Sequence, residues 1–119
     1  METIFKELES DIRVVYTDKM KVLQKYADIG RELSSAIKVF EEAKAEAYTS
    51  GLITGKNEAE RDAQITKYCS DAKTVVMAAE QRLAAEKTNL AILDTNLQRI
   101  DRLMALMELE WKYDNEKQA

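Results

Sequence analysis

The chain has 119 residues, 22 acidic and 18 basic, with a formal net charge of −4, no proline, no histidine, three glycines and one cysteine. One domain fits that length, and a mildly acidic chain has no general electrostatic drive toward nucleic acid. The composition also excludes an intrachain disulfide, the Ser-His and Cys-His nucleophile arrangements and most zinc sites. A lone cysteine is most easily read as reduced and intracellular. Ala, Glu, Lys and Leu dominate and no alternating β-branched run occurs, which favours long helices or a coiled coil.

The start, Met1-Glu2-Thr3, has no basic residue leading into an apolar core, so no secretory leader is expected. The longest apolar run, Val75 to Ala79, is far shorter than the roughly 20 residues of a membrane span. A first helix is expected over about 3–49. Along it, apolar residues recur at alternating spacings of three and four: Phe5, Leu8, Ile12 and Val15, then Val22, Tyr26, Ile29 and onward to Ala47. Only Lys19 interrupts this stripe. Gly30 lies inside the helix and costs about 1 kcal/mol relative to alanine. A turn is expected over about 50–57. Gly51 suits the left-handed end of a helix. Asn57 suits an N-cap, with Glu60 completing a capping box. A second helix is expected over about 58–115, with its own stripe from Ile65 and Cys69 to Met107 and Trp111. Only Glu86 interrupts it. Cys69 lies on the stripe and reads as a small core residue.

Heptad stripes of this length specify packed helices. The fold class is therefore all-α: a long antiparallel two-helix coiled-coil hairpin in one domain, 1–119. A turn centred near residue 53 pairs residues whose numbers total about 105, such as Phe5 with Ile100 and Leu8 with Leu97. That register sets Lys19 level with Glu86 and predicts an ion pair that fixes it. Helix one also carries a second stripe, Ile4, Tyr16, Met20, Leu23, Ala27 and Ile37, too wide for a two-stranded seam. In the same register everything after Ala105 lacks an intrachain partner, although Leu106, Met107, Leu109, Trp111 and Tyr113 are apolar. Exposed apolar patches mark interfaces. The expected solution is a homodimer forming a four-helix assembly, in which the C-terminal end with Leu103 packs on Phe5 and Leu8 of the second copy. Docking of another protein at that end is the alternative.

No cluster of chemistry emerges. Glu41, Glu42 and Glu46 near the end of helix one and Glu58, Glu60 and Asp62 at the start of helix two read as a solvated face. Neither a metal nor a cofactor is expected, and the chain is not expected to be an enzyme. Gly51-Leu-Ile-Thr-Gly55-Lys56-Asn57 looks like a phosphate loop but fails on spacing, lacks the final Ser or Thr and follows a helix. Gly55, Lys56, Asn57 and Arg61 at a helix N-terminus remain an anion-site candidate. The basic residues Lys19, Lys21, Lys25, Arg99 and Arg102 are interleaved with acids and lack an aromatic platform, which argues against nucleic-acid stacking.

The segment Gly55-Lys56-Asn57-Glu58-Ala59-Glu60-Arg61-Asp62-Ala63-Gln64 resembles a G-K-N-x-x-x-R-x-A-Q stretch of small helical-hairpin proteins of bacteriophages and prophages. The matching residues are Gly55, Lys56, Asn57, Arg61, Ala63 and Gln64, about a tenth of the chain. The resemblance implies a phage origin and the cytoplasm of a bacterial host, and no activity. Three functional expectations follow. The first is a non-enzymatic, self-associating interaction or assembly protein that engages itself, and another phage or host protein. The second is an accessory of phage single-strand DNA recombination or replication. The third is an inhibitor or sponge acting against a host defence protein or signal.

Overall fold

The structure, a computed structural model, describes residues 2–118, so the outermost residues of the expected 1–119 domain lie outside it. It is an all-α helical hairpin with α1 at Glu2–Thr49, α2 at Glu58–Tyr68 and α3 at Ser70–Gln118. The chain forms two compact units, Met1–Gln24 with Lys87–Ala119, and Lys25–Glu86.

The stripes decide which faces are covered. Every α1 position from Phe5 to Ala47 on the stripe is buried or half-buried. On the second stripe only Trp111 is exposed. Glycine at position 30 does not break α1. The second helix departs from expectation, being interrupted at Cys69, whose φ of −117° and ψ of 24° are not helical. The hydrogen-bond ladder survives on both sides. Cys69 N–H donates to Ile65 O at 2.8 Å, and Lys73 N–H donates to Cys69 O at 3.0 Å. The interruption is therefore a one-residue kink rather than a turn. Lys73 Nζ donates to Thr66 Oγ1 across it at 3.0 Å.

In the Lys25–Glu86 unit, Ala47, Ile65 and Cys69 form the buried cluster, with Phe40, Ala43 and Ile53 packed on it. Ala47 and Ile65 total 112, and the ion pair of Glu32 with Arg82, at 2.7 Å, totals 114. In the other unit, Lys19 pairs with Asp94 at 2.7 Å, a total of 113. The register is thus about one heptad beyond the expected 105, and it corrects the expected partner of Lys19. Glu86 lies instead in the Lys25–Glu86 unit, lining a groove with Lys25, Ile29 and Arg82. Both stripes repeat every seven residues, so a whole-heptad slip keeps the apolar positions matched and moves only the two charges, Lys19 to the level of Leu93 and Glu86 to that of Tyr26. The loop decides between the two registers.

That loop is asymmetric. α1 closes with a Schellman motif: Gly51 has φ +76°, Leu52 N–H donates to Ala47 O at 3.0 Å and Gly51 N–H to Tyr48 O at 3.2 Å. Ala47 packs against Ile65 rather than the first turn of α2, and that first turn borders α1 through a groove lined by Glu58, Arg61 and Asp62 with Lys44 and Tyr48.

The core is thin. The most buried apolar residues are small or mid-sized, Ile100 being the least exposed at 3%, and no large described side chain is fully enclosed. Ile65 sits where three chain segments meet, so Ile65→Ala is expected to cost about 2–4 kcal/mol in urea unfolding. Lys19 contributes in a different way. Its hydrogen bond to Asp94 holds its pKa above the ordinary value despite partial desolvation. A raised pKa stabilises fully below the unfolded value, and the effect fades as pH rises through the folded one. The melting-temperature gap between wild type and Lys19→Met should therefore hold below the ordinary lysine range of about 10.4 and close as pH rises through the higher folded-state value.

Candidate interaction surfaces

The hairpin tip is built from the segment that carries the phage-protein resemblance. Gln64 Oε1 accepts from Thr54 N–H at 2.9 Å and from Gly55 N–H at 2.8 Å, while its amide donates to Thr54 Oγ1 at 3.1 Å. Asn57 is extended and caps α2 by accepting from Glu60 N–H at 2.8 Å. Glu60 reaches back to accept from Lys56 N–H at 2.8 Å, one residue earlier than in the usual capping box. Arg61 Nη1 donates to Gly55 O at 3.4 Å. Gly55 is required for space rather than for backbone freedom: a Cβ there would lie 2.7 Å from Arg61 N and 2.9 Å from Glu60 C.

This arrangement bears on the anion-site candidate at Gly55, Lys56, Asn57 and Arg61. The structure brings the four together, but the amides of Gly55 and Lys56 already bond to Gln64 and to the Glu60 carboxylate. An incoming anion would have to displace the Gln64 amide beside the Glu60 carboxylate, or displace that carboxylate itself. The residues are accounted for by fastening the loop.

At the open end, the heptad shift changes the fate of the predicted interface residues. Trp111 lines a groove with Glu2, Phe5 and Glu108. Phe5, Leu8 and Met107 are half-buried in the seam. The stretch from Leu106 to Tyr113 therefore does not lie wholly beyond α1, as the 105 register requires. What remains bare is its outer side: Leu103, Leu106, Leu109 and Tyr113, the last two 63% and 60% exposed, beside Trp111 at 53%.

A third feature was missed from sequence. In the Lys25–Glu86 unit, Ala36, Val39, Ala72 and Val75 line an apolar groove rimmed by Asp28, Arg31, Glu32 and Ser35. Arg31 and Glu32 are tied down by Asp28 and Arg82 respectively. Val39 and Val75 each flank a seam position, and that placement was the available signal. Among the described residues, no group of three or more His, Cys, Asp or Glu side chains is placed to hold a metal ion. No described helix is long and apolar enough to cross a membrane.

No protein-family model, curated protein or solved structure matches this chain.

The tip geometry makes two variants informative. Gln64→Ala strips the acceptor from two amides at once, and Gly55→Ala forces the loop away from α2. Both should raise hydrogen exchange at Thr54 and Gly55 by about tenfold or more, from the loss of about 1–3 kcal/mol of local stability. Amides in the middle of α1 should keep their protection.

Proposed function

We propose that this protein is a non-enzymatic, self-associating helical hairpin of phage origin that works as an interaction or assembly factor in a bacterial host cell. One observation carries the reading: large apolar side chains stand exposed along the helix faces of a chain with an extensive total surface. The chain exposes 9005 Å² at 13.6 kDa, where a compact monomer would expose about 6,600 Å². The excess of about 2,400 Å² is polar and apolar area together, and it leaves room for the roughly 800 Å² that each partner contributes to a standard protein interface. It includes large side chains on helix faces rather than isolated tips, among them Tyr16, Met20, Leu106 and Leu109. Such faces drive helix association in water.

The phage origin is supported by the resemblance of the tip segment, and the tip's geometry gives those residues a common purpose in fastening a loop. Absence of histidine supports a non-catalytic role. An accessory role in single-strand DNA metabolism lacks a basic, aromatic surface, and it ranks behind the interaction reading.

Sedimentation equilibrium at micromolar concentration tests the proposal. Wild-type protein should sediment at about twice the 13.6 kDa chain mass. A single species at the chain mass, at concentrations up to about 100 μM, would remove the support for self-association.

A further inference from the structure

The outward side of a packed helix is ordinarily its most polar. In the unit of Met1–Gln24 with Lys87–Ala119, α3 departs from that rule. Its seam residues Met104 and Met107 are half-buried. On the side turned away from the seam stand Leu103, Leu106, Leu109 and Tyr113, all exposed, Leu106 at 58%. Spaced three and four residues apart, they share one helix face. Arg99 and Arg102 precede the leucines on that face, and Glu110 and Glu116 follow them. Among the described residues, neither arginine nor Glu110 takes part in the ion pairs, which engage Lys19, Arg31, Lys44 and Arg82.

We propose that a second copy of this chain packs antiparallel on this outer face of α3, about a two-fold axis beside Leu106, and that the protein self-associates through this contact. The inference rests on the self-association reading and assigns its surface. It takes the place of the expected packing on Phe5 and Leu8 of a second copy, since both are half-buried within their own protomer. Charge selects a second copy as the occupant. The face carries two arginines before its leucines and two glutamates after them, so an antiparallel copy of itself is its electrostatic complement. A parallel copy in register would set Arg102 on Arg102 and Glu110 on Glu110.

The pattern is centred on Leu106. Arg102 lies four residues before it and Glu110 four after, while Leu103 and Leu109 lie three to either side. About that axis the numbers of facing residues total 212. Leu106 meets its own copy, Leu103 comes level with Leu109, and Arg102 with Glu110. Arg99 comes level with Tyr113, one turn from Glu110. Lys117, whose ammonium lies 5.2 Å from the centre of the Tyr113 ring, meets neutral Thr95, and Glu116 meets neutral Asn96. No like charges come level along the face. Association takes the leucines out of water and strengthens the two Arg–Glu contacts by excluding water from around them. From Arg99 to Glu116 the face runs about 25 Å.

The test combines sedimentation with cross-linking, using circular dichroism to check helicity. Leu106→Glu sets two carboxylates on the axis and should raise the dimer dissociation constant by at least about tenfold. Arg102→Glu and Glu110→Arg should each weaken the dimer by about tenfold. Both changes in one chain should restore it, because the exchange re-forms opposed pairs only in an antiparallel contact. In a Cys69→Ala background, Leu106→Cys should oxidise to a covalent dimer, whereas Met20→Cys, exposed on α1 of the same unit, should not. If Leu106→Glu loses helicity, the charge exchange and the cross-link decide. A wild-type dimer that Leu106→Glu and both charge reversals leave intact would overturn this interface while leaving self-association standing. A double exchange that weakens the dimer further would overturn the antiparallel arrangement. A wild-type monomer would overturn both the interface and the self-association reading.

Discussion

The side chain of Gln64 holding the backbone of Thr54 and Gly55 is the contact on which the arrangement of the hairpin depends. It keeps the loop flat against the first turns of α2. Ile53 can then reach the cluster of Ala47, Ile65 and Cys69. With the loop held there, Ile65 is the residue of α2 that is buried against α1. A small local constraint thereby sets which residues face each other in both compact units, since a heptad seam accepts only whole-heptad steps. The ion pairs of Lys19 with Asp94 and Glu32 with Arg82 follow from that register. Their groups are half-buried or exposed, so they report the register more than they hold it.

Which faces meet was legible in the sequence; where along those faces they meet was not. The stripes from Phe5 to Ala47 and from Ile65 to Met107 predict burial almost residue by residue, because a 3,4 repeat leaves one solution for the covered face. Gly51, Asn57 and Glu60 likewise announce the end of one helix and the start of the next. The register was misread by one repeat because a midpoint rule assumes a symmetric turn, and the loop here folds back along α2. The signal was present in Gln64, one α-helical heptad past Asn57, but a glutamine carries no conformational signature as glycine does. The kink at Cys69 had no signal of that kind, since neither proline nor glycine stands there.

The shift also relocates the functional argument. The C-terminal end of α3 is less of an orphan than the 105 register implied, since Trp111 shares a groove with Phe5 and Glu2. Its outer side remains apolar and exposed, and it stays available to another protein. The thinness of the core would give the proposed association a thermodynamic reason, because burial between copies would supply what the hairpin lacks.

The register itself is tested most directly by paired cysteines in a Cys69→Ala chain. Val15→Cys combined with Leu97→Cys totals 112, whereas Val15→Cys combined with Leu90→Cys totals 105. A disulfide needs Cα atoms within about 7 Å. Oxidation is predicted to close an intrachain bond in the first pair and not in the second. Closure of the second pair, with the first remaining reduced, would contradict the loop-set register.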